Sequence, residues 1–386
     1  MKTVLLRAPA LSQSGYGVHA RQIFRWLEAQ KDIKVFTQLM QWGDTPWYVN
    51  PDACDGLIGR IMQTTAGAPS KFDVSIQLQL PDEWDPSLAD INIGMTALVE
   101  TDTCNPAWID RCNKMSAVIL PSKFTRDVLL KGAISSPLTT RVEVVPEAFP
   151  DVVMRDPQPP EIDLKTSFNF LIVSQMTSTA PAQDRKNIVN TIRWLCEEFR
   201  NDADVGIIVK TNGGRATTID KSLTRNMLKA EISKVETKAT VYFLHGDMGE
   251  EELMGLYRHK SIKSLVSLTR GEGFGLPILE AAASGLPVIS TGWSAHTEFL
   301  GLGKSVTIGY TLDPVPEARA DGRIFMKGAR WANPSEADFK KRARKFRTSP
   351  DVPQQWAAEL KETIRQSYGW PSVSEKYSRV LLPLMG

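Results

Sequence analysis

Residues 270–298 read RGEGFGLPILEAAASGLPVISTGWSAHTE, and Gly271, Gly273 and Gly275 crowd the few positions ahead of Pro277. The stretch Ser264–Leu268 before them reads as a buried strand. Leu279–Ser284 after them reads as a helix ended by Gly285, and Pro287-Val288-Ile289-Ser290 as the next strand. A strand that turns through glycines into a helix and then another strand belongs to a parallel α/β sheet. The first N–H groups of such a helix have no intrahelical partner, and glycines let an anion approach them closely. Proline suits the first helical position. Two carboxylates, Glu272 and Glu280, flank the turn. Read alone, Glu272 is an exposed loop carboxylate and Glu280 a helix-surface residue; ionised, each offers several acceptor sites and no donor.

The same grammar runs along the whole chain. Thr3–Arg7 reads as a short buried strand, followed by the turn Ser12–Gly17 and a helix with Val18, Ile23, Phe24 and Leu27 at helical spacing. Ile33–Thr37, Phe72–Gln79, Asp90–Thr96, Val118–Leu120 and Val142–Val145 read as further strands. Ser122 caps a helix carrying Phe124, Val128 and Leu129. Residues 151–165 hold three prolines and four acidic residues and read as a linker. Strands are expected again at Phe168–Val173, Val205–Lys210 and Thr240–Leu244. Helices are expected around Ile188–Leu195 and Glu250–Tyr257, with a helical excursion over 221–235. From Gln354 to Leu382, Trp356, Leu360, Ile364, Tyr368 and Tyr377 recur at helical spacing. At 386 residues the chain suits two domains of roughly 150–200 residues each.

The run 268–298 resembles the donor-sugar signature of GT-B, family 4-like retaining glycosyltransferases (glycosyl transferases group 1), in which two glutamates separated by seven residues bracket a glycine-rich loop. The resemblance implies an α/β chain of GT-B type: two Rossmann-like doubly wound domains facing across a cleft, with the last helix crossing back to the first. The corresponding divisions are 1–155 on the acceptor side, 165–353 for the nucleotide sugar, and a helical segment 354–386. By the same resemblance Glu272 bonds donor sugar hydroxyls, Glu280 bonds the nucleotide ribose, and the backbone of Gly273, Phe274, Gly275 and Leu276 runs along sugar and diphosphate. Lys186, in Asp184-Arg185-Lys186-Asn187, neutralises the diphosphate. The second family cation, an arginine directly after the strand, is absent: Ser174-Gln175 stand there, followed by an extra stretch Met176–Gln183, and either Arg185 substitutes or the longer loop reorganises the pocket. Gly15 and Gly17 face the diphosphate, and the turn starting at His245 approaches the base. The mid-domain histidine of many relatives is also missing, which leaves Glu100, Thr101 and Asp102 as acceptor or sugar-side candidates beside His19 and Glu298.

The expected reaction is transfer of a hexose from a UDP- or GDP-linked donor to a glycan, lipid-linked or small-molecule hydroxyl, without a tightly bound cofactor. No Asp-x-Asp motif or short-spaced histidine cluster suggests a metal. Composition adds little: 42% of residues are hydrophobic, 23% are charged and the net charge is +2. Cys54, Cys104, Cys112 and Cys196 are widely spaced and read as reduced residues of a cytoplasmic protein. The start MKTVLLRAPAL is too soon interrupted for a signal peptide, and no stretch approaches the roughly 18 apolar residues of a membrane span. Between Arg319 and Arg347 ten cations stand against three acids. A solvated face is the plain reading; a patch for DNA or for peripheral contact with an anionic membrane is the rival. Two further alternatives are glycosylation of modified DNA bases and a non-catalytic nucleotide-sugar-binding protein.

Overall fold

The computed structural model describes residues 1–65, 67, 71–133 and 136–386, and by contacts the chain divides into two compact units. Unit 1 comprises Met1–Ala148, Gly322–Met326 and Trp370–Gly386; unit 2 comprises Phe149–Asp321 and Lys327–Gly369.

In unit 1 the order is β1 (Lys2–Ala8), α1 (Gly15–Glu28), β2 (Ile33–Leu39), α2 (Leu57–Gln63), β3 (Phe72–Leu78), β4 (Ala89–Met95), α3 (Ala107–Cys112), β5 (Ala117–Leu120), α4 (Lys123–Gly132) and β6 (Arg141–Val144). The strands form a six-stranded parallel sheet in the order β2-β1-β3-β4-β5-β6. Val4 and Leu6 of β1 meet Val74 and Ile76 of β3 on one buried face, which Ile23, Phe24 and Leu27 of α1 cover, while Leu5 between them joins a smaller cluster with Phe36 and Phe72.

Unit 2 runs β7 (Phe168–Val173), α5 (Ile188–Glu198), β8 (Val205–Lys210), α6 (Thr218–Ile232), β9 (Thr240–Leu244), α7 (Glu250–Leu256), β10 (Ile262–Ser267), α8 (Leu276–Ser284), β11 (Val288–Thr291), α9 (His296–Leu300) and β12 (Val306–Ile308). A hairpin of β13 (Tyr310–Pro314) and β14 (Arg330–Pro334) follows, then α10 (Glu336–Thr348) and α11 (Asp351–Tyr368). Its parallel sheet has the order β12-β11-β10-β7-β8-β9. The order reverses between β7 and β10, and ligands of open α/β sheets gather outside the carboxyl ends of strands at such a switch point.

The last helix, α12 (Trp370–Met385), belongs to unit 1. Its buried residues Val373, Tyr377, Leu381 and Met385 recur every four positions and join the core built on β1 and α1. Gly369 stands between it and α11.

The short helices α2 and α3 and the β13–β14 hairpin are not part of the sequence expectation. The hairpin lies inside the basic tract, where Trp331 and Ala332 are buried among charged neighbours. Residues 151–165 contain a short 3-10 turn, Asp151–Arg155, ahead of an irregular segment. None of the four cysteines forms a disulfide. Burial pushes the Cys104 and Cys112 thiols up to about 12 and Cys196 up to about 11, so all three stay protonated.

Candidate functional site

The loops at the switch point of unit 2 carry the expected residues, and two of those residues touch. After β7 the chain makes a long loop that ends at Asp184-Arg185-Lys186-Asn187. Asp184 is fully buried and organises this turn. Its Oδ1 accepts the Thr177 hydroxyl at 2.7 Å and the amides of Thr177 and Lys186, both at 3.2 Å; Oδ2 accepts the Ile188 amide at 2.8 Å. That carboxylate caps the start of α5, while Asn187 takes the left-handed φ of +56° that lets the chain enter the helix.

From the other side, β10 ends in the glycine turn. Gly275 has φ +102° and serves as the N-cap of α8, with Pro277 in the first turn. Gly285, at φ +81°, ends the helix. Lys186 Nζ lies 2.7 Å from both carboxylate oxygens of Glu272, and Arg185 lies 3.6 Å from one of them while donating to the Gly271 carbonyl at 2.5 Å. Glu272 is 7% exposed, so the pair is largely out of water. Burial would raise its pKa. The Lys186 ammonium and then the Arg185 guanidinium more than offset this and hold the carboxyl down at about 2. The result is an ionised carboxylate flanked by two cations, beside a helix start whose first amides have no intrahelical acceptor.

Arg270, just before the turn, braces both loops. It donates to the Asp184 carbonyl at 3.3 Å, to Asn187 Oδ1 at 3.3 Å and to Asn333 Oδ1 at 2.6 Å. The Phe274 side chain turns inward, its ring 5.7 Å from Phe299 and 6.2 Å from Tyr368, which leaves its backbone to line the turn. Glu280 is also buried, and its Oε2 accepts the Tyr257 hydroxyl at 3.1 Å. Burial, with a smaller push from Glu250, raises this carboxyl to about 7 although the Tyr257 bond opposes the shift. The two glutamates, one before α8 and one within it, are therefore shifted in opposite directions.

His245 follows β9, and its ring faces α6: Nε2 lies 2.7 Å from Asp220 Oδ2. Asp220 also accepts the Gly213 amide at 3.1 Å, and Lys210 donates to the Gly246 carbonyl at 2.5 Å. The loops after β8 and β9 are thus tied to each other. Glu298 is half-buried on α9.

In unit 1, Gly15 opens α1 and Ser14 caps it, Oγ accepting the Gly17 amide at 3.1 Å. A Cβ added at Gly17 would lie 1.9 Å from the Ser12 carbonyl oxygen, so only glycine fits that crossing. The buried Arg21 guanidinium holds the same turn through the Ala10 and Ser12 carbonyls at 3.0 and 2.9 Å. Tyr16 stacks on Trp42 and accepts the Ala97 amide at 2.9 Å, linking the turn to the loop after β4 that carries Glu100, Thr101 and Asp102. Thr101 is buried and donates to the Thr103 carbonyl at 2.8 Å; Glu100 and Asp102 are half-buried. His19 is buried against Tyr377, and burial lowers its pKa to about 3. It is neutral at physiological pH.

Sequence reasoning did not find Asp184, Arg270, Tyr257, Asp220, Tyr16 or Arg21. The signal for Asp184 was present, since an acidic residue stands at the end of a loop just before a helix start; the others depend on pairings across the fold.

Ion pairs run through the tract 319–347. On α10, Lys340 pairs with Glu197 and Glu336, Arg342 with Asp338, Arg344 with Glu198, and Arg347 with Asp202 and Asp204. Lys327 pairs with Glu317 and Arg323 with Asp82 and Glu83. The opposite face of α10 is core, with Phe339, Ala343 and Phe346 buried. The tract is an ion-paired helix surface rather than an open cationic patch. Among the described residues no group of three His, Cys, Asp or Glu side chains is placed to hold a metal, and no helix is long and apolar enough to cross a membrane.

Residues 213–346 match the family model described as Glycosyl transferases group 1. A sucrose synthase from Denitrovibrio acetiphilus is 30% identical over 141 residues, which is 33% of this chain and 17% of that protein. The chain therefore spans only a small part of that curated relative. Among solved structures, a sucrose-phosphate synthase from Thermosynechococcus elongatus superposes with a TM-score of 0.66 at 11% identity, over 100% of this chain and 99% of the other. HepE of Anabaena, solved in complex with UDP and glucose, superposes with a TM-score of 0.59 at 12% identity, over 99% of this chain and 100% of the other. At these identities the likeness shows the fold, and the fold is α/β of the GT-B type.

Proposed function

We propose that the chain is a retaining glycosyltransferase that moves a hexose from a nucleoside-diphosphate sugar, UDP- or GDP-linked, to a hydroxyl acceptor. The observation that carries the reading is the Lys186–Glu272 contact at the β7/β10 switch point, where a buried ionised carboxylate and two cations meet beside the amide-rich start of α8. Glu272 supplies acceptors for sugar hydroxyls. Lys186 and Arg185 supply positive charge that a leaving diphosphate needs as the glycosidic bond breaks. Glu280 lies midway along α8, and its carboxyl is assigned to the ribose. The turn of Gly15 and Gly17 serves the diphosphate, and the backbone around His245 serves the base.

Retention is expected to proceed by front-face substitution, with a diphosphate oxygen helping to remove the acceptor proton. The match to Glycosyl transferases group 1 over 213–346 and the UDP and glucose held by HepE support a nucleotide-sugar donor. Neutral His19 is suited to packing or hydrogen bonding rather than to proton transfer. The ion pairing along α10 weighs against DNA as the acceptor.

The test is a thermal-shift screen of UDP- and GDP-sugars followed by assay of acceptor-free donor hydrolysis. Stabilisation by one nucleotide sugar together with slow release of its sugar supports the reading. Tight nucleotide binding with no turnover of any donor, alone or with acceptor extracts, would leave a binding protein instead.

A further inference from the structure

The loop after β11 grips the main chain of Glu272 from below. The Glu272 amide donates to Ser294 Oγ at 2.9 Å, and the Ala295 amide donates to the Glu272 carbonyl at 3.3 Å. An amide can only donate, so Ser294 Oγ is the acceptor in the first bond and its own hydrogen is available to His296 Nδ1, 3.4 Å away. On the far side of the ring, His296 Nε2 lies 2.7 Å from the Thr291 carbonyl oxygen, which can only accept. The Thr291 carbonyl fixes a proton on Nε2, and burial of the ring, which favours its neutral form and lowers its pKa despite the nearby Glu272, leaves Nδ1 to accept from Ser294. Nε2 carries the proton, Nδ1 accepts, and the imidazole is neutral.

Two further observations converge on the same residues. Ser294 has φ +84°, a left-handed conformation that glycine adopts without steric cost and serine does not. What serine adds there is the hydroxyl that Glu272 uses, and backbone strain of this kind persists where the surroundings hold it in place. A Cβ added at Gly275 would lie 3.1 Å from His296 Cβ and 3.6 Å from Glu272 Cγ, so the histidine forms the floor of the glycine turn.

We propose that Ser294 and His296 are positioning residues that fix the main chain of Glu272, and with it the carboxylate held by Lys186, in the orientation that meets the donor sugar; this rests on the donor-site reading above. Both residues are buried and reach the site through the main chain of Glu272. Their effect is therefore on turnover rather than on nucleotide affinity.

The informative variant is Ser294→Gly, because it relieves the strained dihedral while deleting the hydroxyl. Its melting temperature should equal or exceed the parent's, and UDP affinity by calorimetry should stay within about twofold. Hydrolysis of UDP-glucose should fall about 10- to 100-fold in kcat, a loss of roughly 1.4–2.7 kcal/mol in the transition state. His296→Gln keeps a donor toward Thr291 and removes the acceptor for Ser294. It should show a similar fall, and the double variant should lose little more than either single one. Nitrogen NMR of the substrate-free protein should report the Nε2–H tautomer of His296 at neutral pH. Near-parental kcat in Ser294→Gly overturns the proposal, as does an Nδ1–H or doubly protonated ring. If the parent turns over no donor, the donor reading fails and the role with it, whereas near-parental kcat in Ser294→Gly or the wrong ring tautomer overturns the positioning role and leaves the donor reading standing.

Discussion

The Tyr257 hydroxyl lies 3.1 Å from Glu280 Oε2, which ties the end of the helix preceding β10 to the helix that follows it. Glu280 is almost completely buried, and its carboxyl is raised from 4.5 to about 7, chiefly by that burial. Because the folded-state value is the higher one, this group's contribution to stability is fully present below about 4.5 and is lost as pH rises through about 7. Glu280→Gln should therefore be more stable than the parent at pH 8, by about 1–3 kcal/mol, with the difference closing toward pH 4.5. Melting temperatures of the two proteins across that range check it. A gap that widens on acidification would contradict the assignment.

Lys186→Ala leaves Glu272 buried with only the more distant Arg185 for compensation. Removing one partner of a buried pair typically costs about 3–5 kcal/mol, and the remaining cation places this variant at the low end. Loss of a well-placed cation should also reduce transfer on the order of 100-fold or more and weaken nucleotide binding. Glu272→Ala in the same background should restore much of the stability and none of the turnover. Glu272→Ala alone should lower turnover far more than nucleotide affinity. Denaturant melts and donor-hydrolysis rates on the four proteins separate the two effects.

Gly17→Ala forces a methyl against backbone, 1.9 Å from the Ser12 carbonyl oxygen and 2.8 Å from its carbon. The expected loss is about 2 kcal/mol or more, since the obstacle is not a side chain that can swing away. Gly249→Ala, where an added Cβ meets nothing within 4 Å, should stay within about 0.5 kcal/mol. Comparable losses at the two positions would show that the Ser12–Gly17 crossing is looser than described.

On α10, chemistry of the two faces predicts opposite outcomes. Phe346 is buried and its ring lies 5.7 Å from Phe168 and 6.2 Å from Phe170, so Phe346→Ala should cost about 3–5 kcal/mol. Arg347 is 30% exposed and pairs with Asp202 and Asp204 near the surface; Arg347→Ala should cost at most about 1 kcal/mol, less in high salt. Chemical denaturation in low and high salt reads both.

The glycine turn and its helix were legible because each step has its own local cause: Gly275 where φ is positive, Pro277 in the first helical turn, Gly285 at the end. The partnership of Lys186 with Glu272 was not legible from local pattern, since it arises only when β7 and β10 become neighbours in the sheet. The family resemblance supplied both residues as separate candidates and did not supply their contact. The β13–β14 hairpin was hidden by charge. Trp331 and Ala332 are buried within a run that reads as solvated. The helices α2 and α3, at 7 and 6 residues, are too short to establish a period, and neither has a side-chain cap. Ser294 and His296 offered no signal because their importance lies in a dihedral angle and a proton position.

The placement of α12 in the first unit sets an order of events during synthesis. The first 148 residues emerge from the ribosome with every strand of their sheet but without Val373, Tyr377, Leu381 and Met385, which complete that core. Until those residues arrive, the face covered by α1 lacks its remaining wall and exposes apolar surface of the kind that chaperones bind. Unit 2, which ends at Gly369, has all of its own residues by then. Of these two units, the one begun first is thus the one finished last.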